Sequence, residues 1–135
     1  MLRIVRQNRV FDWVTKAFGP DHANHVQQRS LRFLEEAIEL YQAAGGNLDQ
    51  AHKLLDFIFA RPVGELSKEI GAVVLSLLSV AAAAGWDADE EEQREVDRVT
   101  SKDPEVFAER NRQKNEAGFD ALAHSIPSYR GRINR

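Results

Sequence analysis

Arg32-Phe33-Leu34-Glu35-Glu36-Ala37-Ile38-Glu39-Leu40 is the stretch that decides how the chain is read. At ~100° per residue it forms an amphipathic helix. Leu31, Phe33, Leu34, Ala37 and Ile38 cover one half of that helix, continued by Leu40, Tyr41 and Ala44. Glu35, Glu36 and Glu39 share the other arc within a single turn. Like charges at i,i+3 and i,i+4 repel by about 0.2–0.5 kcal/mol per pair. Two readings follow: a solvated acidic face, or carboxylates gathered to hold a cation. Hard divalent ions such as Mg²⁺ take carboxylate oxygens. Arg29 and Arg32 precede the acids on the same arc, which is the weaker orientation for helical ion pairs.

Helical signals recur on both sides of this stretch, and strand signals are nearly absent. Ile4, Val5, Val10, Phe11, Val14 and Phe18 are spaced for a helix over 3–18, ended by Gly19-Pro20. A long helix is expected from about Asp21 to Ala44, stopping at Gly45-Gly46. Asn47 can cap a third helix that runs to Ala60. Arg61-Pro62-Val63-Gly64 is a break, and a fourth helix spans 65–84 with Gly85 as its stop. That helix is apolar almost all round after Ile70, and such a helix is expected to be buried. Asp87 with Glu90 reads as a capping-box-like start for a short acidic helix. Asp103-Pro104 is an N-cap and N1 pair opening a last helix to about Ala117. The expectation is one all-α domain over 1–117, a helical bundle with a four-helix core. Residues 118–135, ending in Arg130, Arg132 and Arg135, are expected to be a flexible or docking tail.

Bulk properties narrow the function classes. The chain has 135 residues, 43% of them hydrophobic and 29% charged, which is ordinary for a globular domain with a real core. A net charge of −3 gives no strong pull toward nucleic acid. With no cysteine, thiol nucleophiles, Cys-zinc sites and iron–sulfur clusters are excluded. The start lacks a secretory pattern, and the run Ile70 to Ala84 is shorter than the ~20 residues a bilayer needs. The expectation is a cytoplasmic protein with no membrane partner. The four histidines show no metal spacing, and no Walker A loop or Gly-x-Gly-x-x-Gly is present.

Glu69 extends the acidic theme. It lies more than a turn inside the fourth helix, above a stripe of small residues, Ala72, Ser76, Ser79 and Ala83. Antiparallel packing of 21–44 on 65–84 would gather Glu36, Glu39 and Glu69. Carboxylates facing one another in a semi-buried site have raised pKa values unless a cation lies among them.

Glu35-Glu36-x-x-Glu39 followed by Glu69 within Gly-Glu-Leu-Ser-Lys-Glu-Ile-Gly-Ala-Val resembles the MazG-like branch of the all-α nucleoside triphosphate pyrophosphohydrolases. Arg-Ser-Leu-Arg before the first motif and Arg-Pro-Val-Gly-Glu before the second add to the likeness, which covers roughly residues 10–115. The resemblance implies cleavage of an NTP or dNTP between its α and β phosphates, giving a nucleoside monophosphate and pyrophosphate. It implies Mg²⁺, or Mn²⁺, held by Glu36, Glu39 and Glu69. It also implies assembly as a homodimer or homotetramer. The family pattern has an Asp three residues after the Glu69 position, where this chain has Ala72. Asp56 is either a substitute ligand or a surface residue beside Lys53. Glu35 is either the group that orients the attacking water or a solvated helix residue. Arg32, Arg61, Arg110, Asn111, Arg112 and Lys114 are the candidate phosphate contacts. Trp13 either stacks on a nucleobase or belongs to the core. The alternatives to an enzyme are a catalytically degenerate nucleotide-binding module, motivated by Ala72, and a helical interaction module using the acidic segment 87–97.

Overall fold

The computed structural model describes residues 1–124 and is all-helical there. Its helices are α1 (Arg3–Asn24), α2 (Val26–Ala43), α3 (Leu48–Phe59), α4 (Leu66–Ala84), α5 (Ala88–Thr100) and α6 (Pro104–Glu116), followed by a 3-10 turn, Ala121–His124. Arg130, Arg132 and Arg135 lie outside the described residues. The chain divides into two compact units. One is Met1–Glu39 together with Glu95–Arg135, and the other is Leu40–Arg94.

Local capping chemistry fixes most boundaries. Asn47 accepts from the Gln50 N–H at 2.9 Å and opens α3. Asp87 accepts from the N–H groups of Asp89 and Glu90 at 2.9 and 3.1 Å and opens α5. Asp103 accepts from the Glu105 N–H at 2.9 Å with Pro104 at the first position of α6. Each satisfies amide donors that the first helical turn leaves without partners. Gly85 (φ 79°) ends α4, where the Trp86 N–H reaches back to the Ala81 carbonyl at 2.9 Å.

One boundary departs from the sequence expectation. The long helix expected over 21–44 is interrupted at His25, whose backbone is extended (φ −86°, ψ 102°). The His25 ring then caps α2: Nδ1 accepts from the Gln28 N–H at 3.2 Å. Gly19 (φ 84°, ψ 160°) also breaks α1 internally, just before Pro20.

The core of the first unit is small and partly polar. Trp13, Ala17, Ala23 and Ala121 are its buried apolar residues, and Arg6, His25, Gln28 and Asn111 are buried with them. Trp13 meets Phe107 of α6 edge-on at 4.8 Å and Phe18 at 6.0 Å. In the second unit the expected burial of the fourth helix is not met: no residue of α3 or α4 is buried. The apolar periodicity of α4 is present, but its cover is not supplied within the described chain.

Candidate functional site

The polar arc of α2 carries Arg32, Glu35, Glu36 and Glu39, and the facing turn of α6 carries Asn111, Lys114 and Asn115. The two sets interlock at helical spacing, i,i+3 on α2 against i,i+3 and i,i+4 on α6. Arg32 donates from one terminal nitrogen to Oδ1 of Asn111 and to Oδ1 of Asn115, both at 3.0 Å. Lys114 Nζ reaches both Glu35 oxygens, at 2.8 and 3.0 Å. Glu35 is thus neutralised and held in place. Arg32 is held by neutral amides, so its positive charge is not cancelled in direct contact with a carboxylate.

Glu36 and Glu39 make no hydrogen bond or ion pair within the described residues. Partial burial raises the pKa of Glu36, and the neighbouring charges of Glu39 and Glu35 raise it further; Lys114 works the other way. Glu95 of α5 adds a smaller push in the raising direction. Glu95 is itself held by Arg98, whose Nε and terminal nitrogen lie 2.8 and 2.6 Å from its two oxygens. Glu95 lies more than fifty positions from the α2 carboxylates, so no local spacing connects them.

The remaining candidates fall elsewhere. Arg112 is occupied on the surface by Glu105 at 2.8 Å and Glu109 at 2.6 Å. Arg110 lies 5.3 Å over the Phe107 ring. Trp13 is 8% exposed and serves the core, with its indole N–H lacking a hydrogen-bond partner. Asp56, Arg61 and Glu69 belong to the second unit and are exposed. Arg61 lies 5.4 Å over the Phe57 ring. The Glu69 carboxylate sits where a Cβ on Gly64 would be, so a side chain at 64 would displace it. Among the described residues no group of three or more His, Asp or Glu is gathered closely enough to hold a metal ion. Glu36 and Glu39 are the part of the expected ligand set that a single helical turn brings together.

A second basic residue lies one turn before Arg32. Arg29 donates from Nε to the His22 carbonyl at 3.1 Å and packs 5.0 Å over the Phe18 ring. One of its terminal nitrogens is buried without a hydrogen-bond partner. Burial, with the Arg32 charge adding to it, lowers its pKa to about 10. It remains a cation at neutral pH, so the amino-terminal half of α2 is basic and its middle is acidic.

No protein-family model matches the chain, and comparison with curated proteins and with solved structures gives no match.

Proposed function

We propose that the chain is a divalent-cation-dependent nucleoside triphosphate pyrophosphohydrolase. The observation that carries this reading is the α2 turn itself. Two unpaired carboxylates, Glu36 and Glu39, stand one and two helical turns beyond Arg32, whose guanidinium two asparagine oxygens hold. Hard carboxylate oxygens suit Mg²⁺ or Mn²⁺. Glu69 enters as a ligand through the resemblance alone, and Asp56 enters only as a substitute for the family Asp that Ala72 replaces. A bound divalent ion supplies charge neutralisation at the phosphoryl oxygens and lowers the pKa of a coordinated water. The chain's own groups have separate tasks. Arg32, tethered by Asn111 and Asn115, binds phosphate oxygens. Glu35, fixed by Lys114, accepts a proton from the attacking water. The water oxygen bonds to phosphorus, the bond to the bridging oxygen breaks, and pyrophosphate leaves. Pyrophosphate release from a panel of NTPs and dNTPs with Mg²⁺ and with Mn²⁺ tests this directly. Turnover of any of them supports the reading, and silence from folded protein overturns it.

Ala72, on α4 where the family pattern has Asp, favours a second reading: nucleotide binding without hydrolysis. Nucleotide that raises the melting temperature in the presence of Mg²⁺, with no product formed, would select it.

Cation binding has its own pH signature. A carboxyl with a raised pKa favours the protonated folded state, so its contribution to stability is present at low pH and lost as pH rises through that pKa. A cation competes with the proton for the same oxygens. Mg²⁺ should therefore raise the melting temperature more at pH 8 than at pH 5. In Glu36→Gln this increment should vanish at both pH values. A thermal shift that does not depend on pH would argue against Glu36 as a ligand.

A further inference from the structure

Arg29, one turn before Arg32 on α2, belongs to a wider cluster. The face of its guanidinium lies against the Phe18 ring at 5.0 Å, and its Nε donates to the His22 carbonyl at 3.1 Å. Those contacts fix the side chain but leave a terminal nitrogen buried, with no hydrogen-bond partner among the described residues. His22 Nε2 is buried and equally without a partner there. Oδ1 of Asp120 lies 3.3 Å from it, but that oxygen accepts from the Leu122 N–H at 3.1 Å. Asp120 thus serves the 3-10 turn and makes no hydrogen bond to the imidazole.

The four groups are joined in a ring. Arg29 touches the His22 backbone, and His22 lies beside Asp120. The Asp120 charge acts on Arg32, and the Arg32 charge acts on Arg29. All four belong to the first unit. Two guanidiniums meet one carboxylate, so the cluster is positive even with a neutral His22. Glu35, the other acid acting on Arg32, is held by Lys114. A buried donor without a partner is costly, and more so on a charged group. Two such nitrogens beside an uncancelled guanidinium suit an acceptor that carries several oxygens and a negative charge. A phosphoryl group is such an acceptor, and arginine pairs with it through parallel N–H donors. Arg29 and His22 are half-buried, so rotation of their side chains turns these nitrogens toward a ligand while the helices stay in place.

We propose that His22, Arg29 and Arg32 form an oxyanion pocket for a phosphoryl group, either the terminal phosphate of a bound nucleotide or free pyrophosphate. Both guanidiniums and the protonated Nε2 of His22 donate to the phosphoryl oxygens, and the Asp120 carboxylate limits affinity by opposing the anion. The pocket extends the phosphate role of Arg32 to two residues to which the resemblance gives no role. It shares Arg32 with the proposed function but requires neither hydrolysis nor a metal ion.

Isothermal titration of the full chain in EDTA, with inorganic pyrophosphate and with the NTP and dNTP panel, tests this. Binding of pyrophosphate itself points to the free anion, and binding of triphosphates alone points to the terminal phosphate. Arg29→Gln should weaken whichever binds by at least about tenfold. Because Arg29 also packs on Phe18, Asp120→Asn is a second variant that leaves that contact alone. Its amide oxygen can still accept from the Leu122 N–H while the opposing charge is gone, so binding should tighten severalfold. Three results would each overturn the pocket: no binding by any of these ligands, an Arg29→Gln protein that binds as tightly as wild type, or an Asp120→Asn protein that binds no more tightly. Nucleotide turnover with an unchanged KM in Arg29→Gln would remove the pocket and leave the hydrolase reading standing. Arg29-dependent pyrophosphate binding without turnover would do the reverse.

Discussion

Glu39→Gln should reduce pyrophosphate release by at least about a hundredfold while leaving the helices and the melting temperature of the metal-free protein unchanged. The first half follows from the ligand chemistry. An amide keeps the shape of the carboxylate but removes the charge a hard cation requires. Metal-based charge stabilisation supplies several kcal/mol to a transition state, with each ~1.4 kcal/mol a factor of ten in rate. The second half follows from the environment. Glu39 is exposed and makes no hydrogen bond or ion pair within the described residues, so its replacement leaves no group unsatisfied. A readout without substrate accompanies it. The Glu39 charge is second only to burial among the causes that hold the Glu36 carboxyl above its ordinary range. Glu39→Gln should bring the Glu36 carboxyl down toward that range in a carboxyl-carbon NMR titration. A variant that still turns over nucleotide would remove Glu39 from the machinery and, with it, the proposed function.

The legible and illegible parts of this chain separate by the range of the forces involved. The starts of α3, α5 and α6 could be read because Asn47, Asp87 and Asp103 bond to amides two or three residues away. The stop at Gly85 could be read because a left-handed backbone favours glycine. The break at His25 could not, since an imidazole nitrogen serving as a helix cap has no compositional signature. The acidic arc of α2 was likewise plain, but not which bases attend it. Arg110, Arg112 and Lys114 are equivalent as letters. A signal for Arg112 was nevertheless present. Glu105 and Glu109 precede it by seven and three residues, which puts all three on one face of α6. Subtracting that face leaves Asn111 and Lys114 for α2. The apolar pattern of α4 leads to an expectation of burial that no residue of the helix meets in the described chain, because a hydrophobic pattern carries no address.

Gln28→Ala should be the most destabilising single truncation in the first unit, costing roughly 3 kcal/mol and about 10 °C in melting temperature. Gln28 has no solvent exposure, and both ends of its amide are spent on backbone far along the chain. Its Oε1 accepts from the Ala121 N–H at 2.7 Å, and its Nε2 donates to the Phe119 carbonyl at 3.3 Å. Truncation leaves a buried N–H and a carbonyl without partners, at ~1–3 kcal/mol for such a loss, and adds a void the size of an amide. The alternative open to the variant is release of the turn at 119–121, which would expose Ala121, now 4% exposed. Hydrogen exchange distinguishes the two: release makes the Ala121 amide exchange fast while α1 amides stay protected. Either way the effect reaches the candidate site, because Gln28 lies one turn before Arg32 on α2. The Gln28 bonds to 119–121 and the Arg32 bonds to Asn111 and Asn115 both fasten the α6 end of the chain onto α2. The variant should therefore bind nucleotide more weakly at a temperature where it is still folded. A Gln28→Ala protein that melts within about 1 °C of the wild type would show that the 119–121 turn contributes little to the unit. The register of α6 on α2 would then have to come from the Lys114–Glu35 and Arg32–asparagine contacts alone.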